Sequence, residues 1–113
     1  MNVRVFIHGD FAIISNGHVE VVINSKCLVE TGRELELFTN IFEAISTINT
    51  LSRLIRDILG TRHGDSILEV TSTIRDFLTI LCRILVKSID GSVRRCREEF
   101  MKCLKVRHAK TYP

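Results

Sequence analysis

Residues 40–59, NIFEAISTINTLSRLIRDIL, and residues 66–87, SILEVTSTIRDFLTILCRILVK, decide how this chain is built. Ile41, Ile45, Ile48, Ser52, Ile55 and Leu59 step along the first by alternating gaps of four and three residues. Val70, Ile74, Phe77, Leu81 and Ile84 do the same in the second. That spacing returns a side chain to the same helical face every two turns, so each stretch is expected to be a helix with a long apolar seam. Asn40 with Glu43, and Ser66 with Glu69, have the capping-box spacing that starts a helix. Gly60 follows the first helix as its expected left-handed stop. Only Gly60 to Asp65 separate the two, so they should fold back as an antiparallel helical hairpin.

Both helices carry a second apolar row, Phe42, Leu51, Leu54 and Ile58 in the first and Leu68, Leu78, Ile80 and Leu85 in the second. One row can meet the sibling helix; the other needs a sheet, a further helix or another subunit. Phe42, Leu51, Leu54, Ile58, Leu78 and Leu85 are therefore the expected oligomer interface, with a homodimer as its simplest product.

Working outward, the first third changes period from helical to alternating. Val3, Val5 and Ile7 alternate with their neighbours, Phe11 to Ser15 is a short β-branched run, and Asn16-Gly17 suits a type I′ hairpin turn. His18 to Asn24 alternates again, with Val19, Val21 and Ile23 on one face. Cys27 to Glu30, a turn at Thr31-Gly32, and Glu34 to Phe38 read as a second hairpin. The expected fold is one α+β domain: an N-terminal antiparallel β-meander of three or four strands over residues 1–38, a three-helix part over 39–106, and a frayed basic tail over 107–113. In the third helix, after a break at Ile89-Asp90-Gly91-Ser92, Val93, Cys96, Phe100 and Cys103 form the inner face.

The 113 residues are 45% hydrophobic and 26% charged, which fits one ordinary globular domain and excludes a disordered or fibrous chain. Gln is absent and Ile and Arg are plentiful, a bias toward a thermophilic source. The N-terminal residues lack a secretory pattern, and the most apolar window, residues 67–86, contains Glu69, Arg75, Asp76 and Arg83. A cytoplasmic chain that does not enter membranes is expected. Cys27, Cys82, Cys96 and Cys103 show neither C-x-x-C nor zinc-ribbon spacing, so they are expected to be reduced, buried thiols, a helix-to-helix bridge being the alternative in a hyperthermophile.

Chemistry-bearing motifs are sparse. His8, Asp10, His18 and Glu20 flank the first hairpin, but a metal centre needs three or four convergent ligands, and no metal or cofactor is expected. The chain has no nucleophile elbow, P-loop or dinucleotide glycine motif. Arg56-Asp57 followed by His63 resembles the Arg-polar-spacer-His signature of HEPN-domain ribonucleases. The resemblance covers eight residues and implies a dimeric enzyme in which His63 handles the proton and Arg56 the phosphoryl charge. The β-rich N-terminus departs from that family's all-helical fold.

Net charge is only +3, yet Arg94, Arg95, Arg97, Lys102, Lys105, Arg107 and Lys110 crowd the C-terminal stretch against Glu98 and Glu99. Arg94, Arg95, Arg97, Lys102 and Lys105 around one helix are the candidate nucleic-acid contacts, an acidic protein being the other partner for that helix. Aromatics for base stacking are nearly absent nearby, which disfavours single strands. Taken together, the chain reads as a non-catalytic assembly or adaptor protein that self-associates through its amphipathic helices, with nucleic-acid binding as the alternative and a dimeric ribonuclease as a more distant one.

Overall fold

The computed structural model describes residues 2–86 and 92–110. Three strands open the chain: β1 (Arg4–His8), β2 (Phe11–Ser15) and β3 (Val19–Asn24). Four helices follow, α1 (Ser25–Glu34), α2 (Ile41–Leu59), α3 (Ile67–Leu85) and α4 (Ser92–Met101), and β4 (Leu104–His108) returns to the sheet. The sheet is antiparallel throughout, in the order β1-β2-β3-β4. An α+β fold with an N-terminal meander is what the alternating period predicts, and it is what forms.

Side chains on one face of the sheet meet the helices. Ala12, Ile14, Val19, Val21, Ile23, Leu104 and Val106 share this face by register. With Leu51, Ile55, Leu59, Val70, Ile74, Leu78 and Phe100 they make a single core cluster. Ile14, Val19, Val21 and Ile23 are fully buried, as alternation on a half-covered sheet requires. The helices bury the rows centred on Leu51 and Ile55 in α2 and on Val70, Ile74 and Leu78 in α3. The ends of the heptads that first mark these helices, Ile41, Ile45 and Ile84, stay exposed.

The capping residues act as their spacing predicts. Glu43 N–H donates to Asn40 Oδ1 at 3.0 Å, and Glu69 N–H donates to Ser66 Oγ at 3.2 Å. The acids of these boxes reach past the caps: Glu43 accepts from the Thr39 N–H, and Glu69 faces His63 Nδ1 at 3.2 Å. Gly60 departs from expectation, because its φ of −80° is right-handed; α2 ends in a tightened turn whose N–H groups return to Arg56, Asp57 and Ile58 carbonyls. A short 3-10 helix, Arg62–Asp65, then leads into α3.

Two elements differ from the sequence reading. Residues 25–34 form α1 instead of a hairpin, capped by Asn24, whose Oδ1 accepts from the Cys27 N–H. Thr31-Gly32 is therefore mid-helix, and the reason for glycine is steric: a Cβ at Gly32 would overlap the ring of Phe38, which stacks on Phe100 with centroids 6.3 Å apart. Alanine normally gains about 1 kcal/mol over glycine inside a helix. Here the overpacking cost of about 1–3 kcal/mol dominates. Gly32→Ala is expected to lower unfolding free energy by about 2 kcal/mol in urea melts, and adding Phe38→Leu should recover most of it. The third helix also ends early, at Met101, and 104–108 pairs with β3. Arg107 and His108 thus belong to a strand, and the Ala109 N–H donates to the His18 carbonyl, so the tail does not fray from 107. The expected break at Ile89-Asp90-Gly91 and the last three residues lie outside the described residues.

All four cysteines are paired, Cys27 with Cys103 and Cys82 with Cys96, against the expectation of reduced thiols. Folding Cys27 into α1 brings its Cα to 5.5 Å from that of Cys103 at the entry to β4. The packing of α4 on α3 brings Cys96 to 5.9 Å from Cys82. Both separations lie within the range a disulfide spans. Among the described residues no helix is long and apolar enough to cross a membrane.

Candidate functional site

The informative surfaces belong to the sheet. Among the described residues β1 pairs only with β2, so one side of the strand presents backbone N–H and C=O groups that none of them pairs. All five of its residues are exposed, including Val5 (42%), Phe6 (47%) and Ile7 (72%). Val5 and Ile7 lie on the same face as the core residues Ala12 and Ile14, yet the helical layer leaves them uncovered. Gly9, with φ of 60°, turns the chain tightly into β2 and holds this two-stranded ribbon together. A long apolar edge strand of this kind invites pairing with another chain.

The second surface is the sheet face turned away from the helices. The register lays three cross-strand rows on it: Arg4, Ser15, Glu20 and Arg107; Phe6, Ile13, Val22 and Lys105; and His8, Phe11 and Asn24. Phe6 and Phe11 stand half exposed on neighbouring strands. Glu20 is almost wholly buried and is matched by Arg107, whose Nε donates to its Oε1 at 2.7 Å. Removing these two charges from the balance leaves Arg4 and Lys105 exposed on the face, with no ion-pair partner among the described residues. At one end Asn2, Arg4, Phe6, Ser15, Glu20 and Lys110 line a cleft of about 340 Å³.

The residues singled out from sequence are dispersed. Lys105 lies on the open sheet face, whereas Arg94, Arg95 and Arg97 lie on α4 in the helical layer. Arg97 is engaged by Glu98 through Nε and Nη2 at 3.1 and 3.0 Å and reaches Thr79, and Lys102 meets Glu99 at 3.1 Å. Arg97 and Lys102 are thus matched by neighbouring acids, whereas Arg94 and Arg95 are exposed on α4. Of the expected oligomer interface, Leu51, Ile58 and Leu78 are buried in the core, Leu54 and Leu85 pack against it, and only Phe42 is exposed, at 78%. Those five are occupied within the chain because α1, α4 and the sheet supply more cover than three strands and two other helices would.

His8 and Asp10 sit at the β1–β2 turn, while His18 and Glu20 lie at the opposite end of the hairpin, so the four do not converge. Among the described residues no group of three or more His, Cys, Asp or Glu is placed to hold a metal ion. Arg56 falls in the last turn of α2 and His63 in the 3-10 helix, where it faces Glu69.

Asn16 is the residue sequence reasoning missed. Instead of exposing a type I′ turn, it is buried, and Gly17 alone takes positive φ, 91°. Its Oδ1 accepts from the His18 and Val19 N–H groups, both at 2.9 Å, while Nδ2 donates to the Leu59 and Gly64 carbonyls at 3.0 and 2.9 Å. One amide pins the β2–β3 turn to the end of α2. Comparison with protein-family models, curated proteins and solved structures finds no match to the chain.

Proposed function

We propose that this chain is a non-catalytic assembly protein whose partner is a second copy of itself, bound edge to edge along β1. The observation that carries this reading is the free edge strand with Val5, Phe6 and Ile7 exposed on both of its faces. The strand is self-complementary: an antiparallel pairing centred on Phe6 sets Val5 against the second copy's Ile7 and the two Phe6 rings side by side. A two-fold axis closes that contact and uses up the edge, where a head-to-tail contact would leave one open. Asp10 at the hairpin tip shares a cleft with Val29, Ile45 and Ile48, whose walls also carry Lys26, Glu30 and Arg33.

The exposed parts of Val5 and Ile7, with the paired backbone, make a small interface, short of the roughly 1,200 Å² of small specific interfaces. The expected dimer is accordingly one of micromolar affinity. Light scattering behind a sizing column should give a mass near twice 12.9 kDa at about 100 μM, falling on dilution to about 1 μM. A lysine at an edge is the device that natural sheets use against pairing. Ile7→Lys should give a monomer at both concentrations, and Leu68→Lys, at an equally exposed site on α3, should leave the dimer intact. A wild-type monomer at 100 μM, or a dimer that survives Ile7→Lys, overturns the reading.

A further inference from the structure

The geometry points to the open face of the sheet as a binding platform for single-stranded nucleic acid. This rests on observations separate from the free edge. A sequence-tolerant single-strand site needs aromatic faces on which bases stack and cations that follow the phosphates. Along the chain these ingredients are far apart, the phenylalanines near the N-terminus and the lysines near the C-terminus. Pairing of β4 with β3 puts them on one surface.

Phe6 and Phe11 are the aromatic element. They lie diagonally across the β1–β2 ladder, since Phe6 faces Ile13 and Phe11 faces His8. Diagonal neighbours on one sheet face are about 7 Å apart, close enough for successive bases of an unstacked strand to rest on them. Both rings keep nearly half their surface, and Ile13 and Val22 continue the apolar floor toward β4. The cations border this floor: Arg4 at the β1 end, Lys105 across Val22, and Lys110 at the rim of the cleft beside Phe6. The one acid within these rows, Glu20, is already held by Arg107, so the face presents net positive charge to a ligand. The cleft of about 340 Å³ lined by Arg4, Phe6, Ser15 and Lys110 is large enough for one nucleotide.

A duplex is a poor fit for the same surface. Its bases are stacked on each other and unavailable to Phe6 and Phe11, so only the cations would contribute. Discrimination between single and double strands is therefore the signature of the site. A pairing of two copies through β1 would set two such faces side by side, but each copy carries a complete one.

Fluorescence anisotropy of the 113-residue chain with a labelled twelve-nucleotide oligouridine, the matching DNA strand and a duplex of equal length tests this. At low salt the single strands should bind at least tenfold more tightly than the duplex, and tighter binding of RNA or of DNA would identify the strand preferred. Three phosphate contacts predict log Kd rising with log salt at a slope of about 2. Phe6→Leu with Phe11→Leu keeps the apolar surface and removes the rings, and should weaken single-strand binding about tenfold or more while circular dichroism and the melting midpoint hold. Lys105→Glu should weaken all strands and flatten the salt slope, and Ile7→Lys should leave single-strand affinity per chain within about twofold. The proposal is overturned if duplex binds as well as single strand, or if the double leucine variant binds as the wild type does. It is equally overturned if Arg94→Glu with Arg95→Glu abolishes binding while Lys105→Glu does not, or if polyglutamate displaces the oligonucleotide at equal charge concentration.

Discussion

Opening the Cys27–Cys103 bond is expected to lower unfolding free energy by about 4 kcal/mol, and opening Cys82–Cys96 by about 3 kcal/mol, because a cross-link restricts the unfolded chain more when it closes a longer loop. The sequence separations are 76 and 14 residues. Their positions add to this. The first bond ties the opening turn of α1 to the residue before β4, next to the hydrogen bond from the Asn24 N–H to the Cys103 carbonyl, so it holds the returning strand against the meander. The second joins α3 to α4, two helices whose inner faces also share Leu78 and Phe100 in the core. Against a total of roughly 5–15 kcal/mol for a domain of this size, the loss of the first bond alone is a large fraction of stability. Thermal melts of Cys27→Ala with Cys103→Ala should show a fall in midpoint on the order of 20 °C. Cys82→Ala with Cys96→Ala should show a smaller one, and reduction of the wild type should match or exceed the larger. Four titratable thiols in native protein purified without reductant, or equal melting midpoints with and without reductant, would refute the pairing.

The disulfides mark where sequence reading stopped short. The Cys27–Cys103 pairing depends on α1 and β4, the two elements that alternation and periodicity misassigned, whereas Cys82–Cys96 is the helix-to-helix bridge that sequence left as the alternative. Residues 25–34 carry a helix signal in Asn24 as cap and in the recurrence of Leu28, Thr31 and Leu35, yet Thr31-Gly32 outweighed it as a turn signal. Only tertiary packing reveals that glycine is there to admit Phe38. Leu104, Val106 and His108 do alternate with Lys105 and Arg107, a strand signature hidden by the helical recurrence of Cys96, Phe100 and Cys103 running into it. The caps at Asn40 and Ser66 and the faces of β2 and β3 were legible because each depends on neighbours a few residues away.

The platform was illegible for the converse reason. Near the basic C-terminal stretch the sequence offers Phe100, which is buried, and Tyr112, outside the described residues, so a single-strand reading found no aromatics. The relevant rings are on β1 and β2, reached only through two strand pairings that depend on β4 existing. Once it does, charge and aromaticity become neighbours on one sheet face, while Arg97 and Lys102 are held by Glu98 and Glu99.

Asn16→Ala should lower unfolding free energy by about 3 kcal/mol, because it strands the Leu59 and Gly64 carbonyls and the His18 and Val19 N–H groups, each unmet buried group costing about 1–3 kcal/mol with partial relaxation. Asn16→Asp isolates the donor half of the same amide. Its shape and its acceptor oxygen remain, but the Nδ2 position becomes an oxygen facing two carbonyl oxygens, so the folded state disfavours the charged form and the introduced carboxyl is raised above its ordinary ~3.9. A group raised in the folded state binds protons more readily there than in the unfolded chain. The penalty is therefore fully present at pH above the folded value and shrinks as pH falls toward the unfolded one. Once protonated, the carboxyl can again donate to one carbonyl. In urea melts referred to wild type at each pH, Asn16→Asp should cost roughly 4 kcal/mol near pH 8 and clearly less near pH 5, while the cost of Asn16→Ala stays level. Asn16→Ala within about 0.5 kcal/mol of wild type, or parallel pH profiles for the two variants, would show that the β2–β3 turn is not held to the end of α2 through this side chain.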